Sequence, residues 1–189
     1  MKNHVSFVLL GLAAATATAN ASELLDFAPK GYIGAEYKYL SDIHGLDPVE
    51  EISQEAGVPG SFFVEDYTNM LGLVAGVQIN DYLGVEVSHA MSLKDLSNLD
   101  GLSFDLNTTN LSVTGQYPIS DRYYAKAAIG RTWIRLEAEA MGEKDHITQD
   151  EFMGKIGVGY QWNDKSVSEL TYQNEGGLDG FAFQYKYLF

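Results

Sequence analysis

Along most of this chain apolar and polar residues alternate one by one, a period of two that restricts it to β-strands whose two faces meet different surroundings. In Tyr32–Leu40, Ile33, Ala35, Tyr37 and Tyr39 fall on one face and Gly34, Glu36 and Lys38 on the other. The same alternation runs through Asn69–Asn80, Leu83–Met91, Leu106–Tyr117, Tyr123–Trp133, Phe152–Trp162 and Val167–Gln173. It is sharpest at the end, where Phe181, Phe183, Tyr185, Tyr187 and Phe189 oppose Ala182, Gln184 and Lys186. Eight strands are expected.

The connections sort into two kinds. Asn80-Asp81, Pro118–Asp121 and Asn163–Lys165 are tight turns made of turn residues. Ser41–Asp66, Ser92–Asp105, Leu136–Glu151 and Asn174–Gly180 read as long polar loops. Short and long connections thus alternate, as in a membrane barrel with short inner turns and longer outer loops. The longest apolar run after Ser22 is Met70–Val77, interrupted by Gly72 and Gly76, which is too short for a transmembrane helix. The expected fold is all-β: an eight-stranded, antiparallel, up-and-down transmembrane β-barrel.

The start of the chain points to export. Lys2 opens a basic n-region, Val5–Ala19 is apolar or small, and Ala19-Asn20-Ala21 is a small-x-small cleavage site. The division expected is a signal peptide over 1–21, a periplasmic tail over 22–30 and a barrel domain over 31–189, with an uncleaved anchor as the competing reading. The protein is expected in the bacterial outer membrane.

Composition alone suggests something else. A formal net charge of −14 and a mean hydropathy of −0.13 look like an acidic soluble domain. The charge argues against nucleic acid, whose phosphates need clustered Lys and Arg. The absence of cysteine excludes disulfides and thiolate metal sites. A soluble barrel, however, would turn its apolar face inward. Here the polar face carries glycines and the charges Glu36, Lys38, Glu86, Lys126, Lys155, Glu169 and Lys186, which suits a narrow lumen. The apolar face is bulky, with Tyr117, Tyr123, Trp162 and Phe189 near the short turns and Tyr39, Trp133, Phe152 and Phe181 near the loops. Two such girdles mark two membrane interfaces.

Unpaired lumen charges would cost several kcal/mol each, so pairing is expected, with Lys186 neighbouring both Glu36 and Glu169 once the barrel closes. The bland reading is a plug; the sharper one is a narrow pore gated by Glu36, Glu169 and Lys186. Chemistry is scarce. His4 lies in the signal peptide, His44 and His146 in loops, and His89 on the lipid-facing parity. Ser88 and His89 are adjacent, point to opposite faces of a strand and cannot form a nucleophile–base pair. Glu143, Asp145, His146, Asp150 and Glu151 lack the regular spacing of a calcium loop and read as a solvated acidic stretch. No catalytic residue, metal or cofactor is assigned.

The acidity sits in the loops, which hold eighteen of the 26 Asp and Glu residues against Lys94, Arg135 and Lys144. Facing anionic lipopolysaccharide, such loops could bridge to lipid phosphates through divalent cations, or act by solubility and repulsion alone.

Gly31–Tyr37, Val77–Val87, Gly115–Asp121 and Leu170–Gln173 resemble the eight-stranded OmpA-type transmembrane domain and the small OmpX/Ail-like outer membrane proteins. Tyr185-x-Tyr187-x-Phe189 resembles the terminal signal read by the barrel-insertion machinery. Glu86 matches that family's buried glutamate, but Glu169 stands where OmpA-type barrels carry a basic residue, so the family's gate does not transfer. The chain stops at Phe189, so the peptidoglycan-binding activity of full-length OmpA proteins does not transfer either. The resemblance implies a monomer with a structural or adhesive role, acting on lipopolysaccharide or a host or surface ligand through its loops. A porin-like channel and a lipid A-modifying enzyme are the alternatives.

Overall fold

The computed structural model describes residues 29–43, 46, 65–94, 96, 102–140 and 143–189. The expected signal peptide, His44 and most of the first loop lie outside the described residues.

Eight strands close on themselves: β1 Lys30–Ser41, β2 Tyr67–Gln78, β3 Leu83–Ser92, β4 Leu102–Pro118, β5 Tyr123–Ala140, β6 Glu143–Asn163, β7 Ser166–Glu175 and β8 Leu178–Leu188. Each pairs antiparallel with its sequence neighbour, and β1 closes onto β8 from Tyr32↔Leu188 to Ser41↔Asp179. Past that ladder, Gly31 and Phe189 exchange backbone hydrogen bonds of 3.1 and 2.9 Å. Lys30 and Phe189 therefore share one end with the short turns 79–82, 119–122 and 164–165, the turn end. The other connections make the loop end.

Two of the four expected long loops are not loops. β5 and β6 run on through Leu136–Glu151, pairing as far as Ala140↔Glu143. Between Glu175 and Leu178 stands a two-residue hairpin, Gly176 and Gly177, with φ of +61° and +97°. Those angles belong to the tight hairpin turns that glycine makes without strain. Strict alternation of short and long connections therefore fails at the loop end. The second loop is also shorter than expected, because β4 begins at Leu102.

The two faces are inverted relative to a water-soluble protein. Leu73 is 66% exposed and Phe152 74%, while Glu36 and Lys38 are fully buried. A continuous exposed apolar belt of this kind is a membrane surface, since water would not tolerate it. Among the described residues no helix is long and apolar enough to cross a membrane. Rings gather at both edges of the belt. Tyr123–Tyr160 and Tyr160–Trp162 touch at 4.9 and 4.8 Å near the turns. Tyr39–Tyr67 and Tyr172–Phe181 touch at 5.9 and 5.5 Å near the loops.

Inside, the barrel has two halves. Towards the loop end, inward-facing Leu40, Met70, Ala90, Phe104, Leu106, Ile134, Leu136 and Leu178 form an apolar core with Ile43, Leu46 and Leu96 of the connections. Backbone bonds knit these connections together: Ile43 N–H to Asp66 O (3.3 Å), Glu65 N–H to Leu96 O (2.8 Å) and Leu96 N–H to Phe104 O (2.9 Å). Towards the turn end the lumen is polar.

Candidate functional site

Strand parity sends Glu36, Lys38, Glu86, Lys126, Lys155, Glu169 and Lys186 into the lumen, where none is more than 3% exposed. Nearest the turn end, two lysines and two glutamates make a closed quartet. Lys126 Nζ donates to Glu86 (2.8 Å) and Glu169 (2.6 Å), and Lys186 Nζ donates to the same two oxygens at 2.6 Å each. Each glutamate also accepts from a tyrosine: Tyr32 Oη to Glu86 at 3.1 Å and Tyr124 Oη to Glu169 at 2.7 Å.

These two tyrosines repeat one device. Tyr32 of β1 registers with Gly76 of β2, which registers with Glu86 of β3. Tyr124 of β5 registers with Gly159 of β6, which registers with Glu169 of β7. In both places the ring lies across the glycine, where a Cβ would strike the tyrosine side chain. The ring covers the bare backbone, and its hydroxyl reaches the glutamate one strand further on.

Further in, Lys38 is the hub. It donates to both oxygens of Glu175 (2.9 and 3.2 Å) and to Thr108 Oγ1 (3.1 Å), with Glu36 Oε1 at 3.2 Å. Asn110 Nδ2 donates to Glu175 as well. Lys155 joins the groups through longer ionic contacts, 3.7 Å to Glu36 and 3.9 Å to Glu86. Gln184 Nε2 donates to Glu36 and, at 3.4 Å, to Glu86.

Glu175 is a correction. Read as an acidic residue of the fourth outer loop, it is the fully buried last residue of β7. Among the described residues, the buried charges of the lumen are then four glutamates and four lysines, Glu36, Glu86, Glu169 and Glu175 against Lys38, Lys126, Lys155 and Lys186. Its charge is balanced. A second correction concerns Lys186, which bridges Glu86 and Glu169 while Glu36 turns to Lys38 and Lys155. The expected contact with Glu169 on adjacent β7 is made, and side-chain reach across the lumen gives Lys186 Glu86 of β3 in place of Glu36. Tyr32, Tyr124 and Glu175 share the inward parity of the seven charged residues, and that parity was the signal available for finding them.

Ser88 is buried in the lumen. His89 faces outward and its Nδ1 lies 2.9 Å from Thr109 Oγ1. Among the described residues no three His, Asp or Glu gather as a metal site. The stretch Glu143–Glu151 is strand rather than loop, and Asp150 is held by Arg131 at 2.7 Å.

A cavity of about 510 Å³ opens at the turn end above the quartet, bordered by Tyr32, Tyr124, Glu169, Lys186, Gln78 and Gln116. The interior therefore runs from a polar mouth, through paired charges, to an apolar seal at the loop end.

No curated protein sequence matches the chain. Among solved structures, Neisserial surface protein A superposes with a TM-score of 0.57 at 12% identity, covering 85% of this chain and 96% of its own. Ail, the attachment invasion locus protein of Yersinia pestis, in complex with the heparin analogue sucrose octasulfate, gives 0.54 at 11%, covering 85% and 97%. The N-terminal β-barrel domain of Pseudomonas aeruginosa OprF gives 0.55 at 10%, covering 85% and 97%. At such identities the likeness is one of fold. The family described as outer membrane protein beta-barrel domain matches residues 5–174, through the whole of β1 to β6 and nearly all of β7. The chain belongs to that family, and its place is the bacterial outer membrane.

Proposed function

We propose that this protein is a sealed outer-membrane barrel that acts by contact at the cell surface and supports the envelope, without conducting or catalysing. The observation that carries this reading is the contrast at the loop end. The lumen there is closed by an apolar core, while β4, β5 and β6 continue together past β3 and β7 as a three-stranded ribbon. β7 ends with Glu175 opposite Met153, and Gly176 N–H still reaches Phe152 O at 3.0 Å; beyond that β6 pairs with β5 alone, while β4 follows β5 as far as Leu102↔Ala140. A paired, rigid ribbon presents side chains at lower entropic cost than a free loop.

On this reading the signal peptide 1–21 is removed, the turn end faces the periplasm, and the barrel inserts as a monomer. Tyr185, Tyr187 and Phe189, all facing outward, serve the insertion machinery. The Ail structure holds a polysulfated ligand. The acidic ribbon and loops of this chain disfavour such an anion and favour basic surfaces. The test is a variant with 138–145 replaced by a two-residue turn, expressed on cells and scored for binding to host cells and matrix. Loss of binding with the folded barrel retained is expected; undiminished binding would sink the surface role.

The pore reading predicts ion flow through the polar half. The apolar seal opposes it, because ions do not cross a dry constriction without large desolvation cost. Planar bilayers carrying the pure protein are expected to show no conductance steps. Steady unitary currents would replace this reading with the channel. Lipid A-modifying chemistry finds no support in Ser88 and His89, which lie on opposite faces.

A further inference from the structure

On β5 the outward positions from Tyr123 to Ile129 are uncharged, and then two arginines appear, Arg131 and Arg135, with Trp133 between them. Arg131 sits in apolar company. It registers with Leu111 on β4 and with Phe152 on β6, both exposed, and its guanidinium lies 4.6 Å from the centre of the Phe152 ring. A charge on the lipid face is costly in the bilayer interior and is tolerated near an interface with a polar partner. Asp150 takes one edge of the Arg131 fork, at 3.0 Å to Nε and 2.7 Å to Nη2. That leaves the Nη1 donors and one Nη2 hydrogen free of the Asp150 fork. Glu137 holds Arg135 at Nε, at 2.9 Å.

We propose that this loop-end, lipid-facing rim of β5 binds a phosphorylated glycolipid of the outer leaflet, Arg131 and Arg135 taking its phosphates against Trp133 and Phe152. This rests on the reading that the loop end faces outside. Four residues of extended strand separate the arginines by about 13 Å, a span for two anionic groups on one headgroup rather than one. Guanidinium matches phosphate through paired, charge-assisted hydrogen bonds, which a lone ammonium cannot form. The stacked ring at Phe152 holds Arg131 at the interface, and Asp150 and Glu137 orient the forks. Those carboxylates also suit the divalent counter-ions that accompany clustered phosphates. A plain phospholipid leaflet offers single phosphates and would use the paired arginines poorly.

The test reconstitutes the full mature protein in nanodiscs and measures retained lipid by native mass spectrometry. Bisphosphorylated lipid A, dephosphorylated lipid A and phosphatidylglycerol are the three probes. Wild type is expected to retain bisphosphorylated lipid A over both others. The Arg131→Gln/Arg135→Gln pair is expected to lower that retention about tenfold, while Lys94→Gln, a rim cation on the far side of β4, leaves it unchanged. Equal retention by the double variant would overturn the site, as would wild type holding phosphatidylglycerol or dephosphorylated lipid A equally well. Sidedness is read separately by Thr148→Cys, in a chain without other cysteines, labelled on intact cells by an impermeant maleimide. Labelling supports the outer leaflet as the source. Absence of labelling overturns both the sidedness and the leaflet assignment, even where lipid A binds in nanodiscs.

Discussion

Replacing Lys38 by methionine is expected to cost about 3–5 kcal/mol of barrel stability, the loss usual when one partner of a buried ion pair is removed. Lys38 is fully buried and is the one cation in contact with Glu175 among the described residues. Without it Glu175 keeps only the amide of Asn110, and the lumen passes from neutral to one excess negative charge. Glu36 suffers less, because Lys155 and Gln184 remain. The double change Lys38→Met/Glu175→Leu is expected to recover most of the loss. It removes both charges where the lumen already turns apolar at Leu40, Met70, Leu106 and Leu178, so the new side chains extend that seal. Urea titration in lipid, read by the mobility difference between folded and unfolded barrel, measures both variants. A double variant no more stable than Lys38→Met alone would show that the pair contributes packing volume rather than charge compensation.

The sequence exposes this barrel where membrane and lumen impose opposite demands on alternate residues. That is why β8 and the lipid-facing halves of β1 to β7 can be read from period two. Legibility ends where the strands leave the bilayer. In Leu136–Glu151 the outward positions Glu137, Thr148 and Asp150 are polar, so the apolar half of the alternation disappears and paired strand resembles loop. The Gly176-Gly177 hairpin was open to recognition from its composition, since two adjacent glycines suit a tight turn. Read as loop, the same segment places Glu175 outside and leaves the lumen one glutamate short. Of the two contacts of Lys186, that with Glu169 on adjacent β7 is legible from closure of the barrel, and that with Glu86 is not. The partner choice of Lys186 depends on the stagger of eight strands and on reach across the lumen, neither of which any local pattern encodes.

Stagger also creates the second feature with a large expected effect, the two Tyr–Gly–Glu rows. Gly159→Val is expected to destabilise the barrel by about 1–3 kcal/mol through overpacking, because its side chain must displace the Tyr124 ring. Displacing that ring also removes the 2.7 Å hydrogen bond to Glu169, a charged acceptor whose lost donor is worth about 1.5–3 kcal/mol. Gly76→Val acts on Tyr32 and Glu86 in the same way, with the weaker 3.1 Å bond at stake. Tyr124→Phe separates the two contributions, since it keeps the ring over Gly159 and gives up only the hydroxyl. The expected order of damage is therefore Gly159→Val, then Gly76→Val, then Tyr124→Phe. Both rows end on the quartet shared by Lys126 and Lys186, so the two glycine changes together should depart from additivity. Equilibrium unfolding of the four variants in one lipid decides the matter. If Gly159→Val is no worse than Tyr124→Phe, the glycine is not reserved for the ring, and the rows are a coincidence of register.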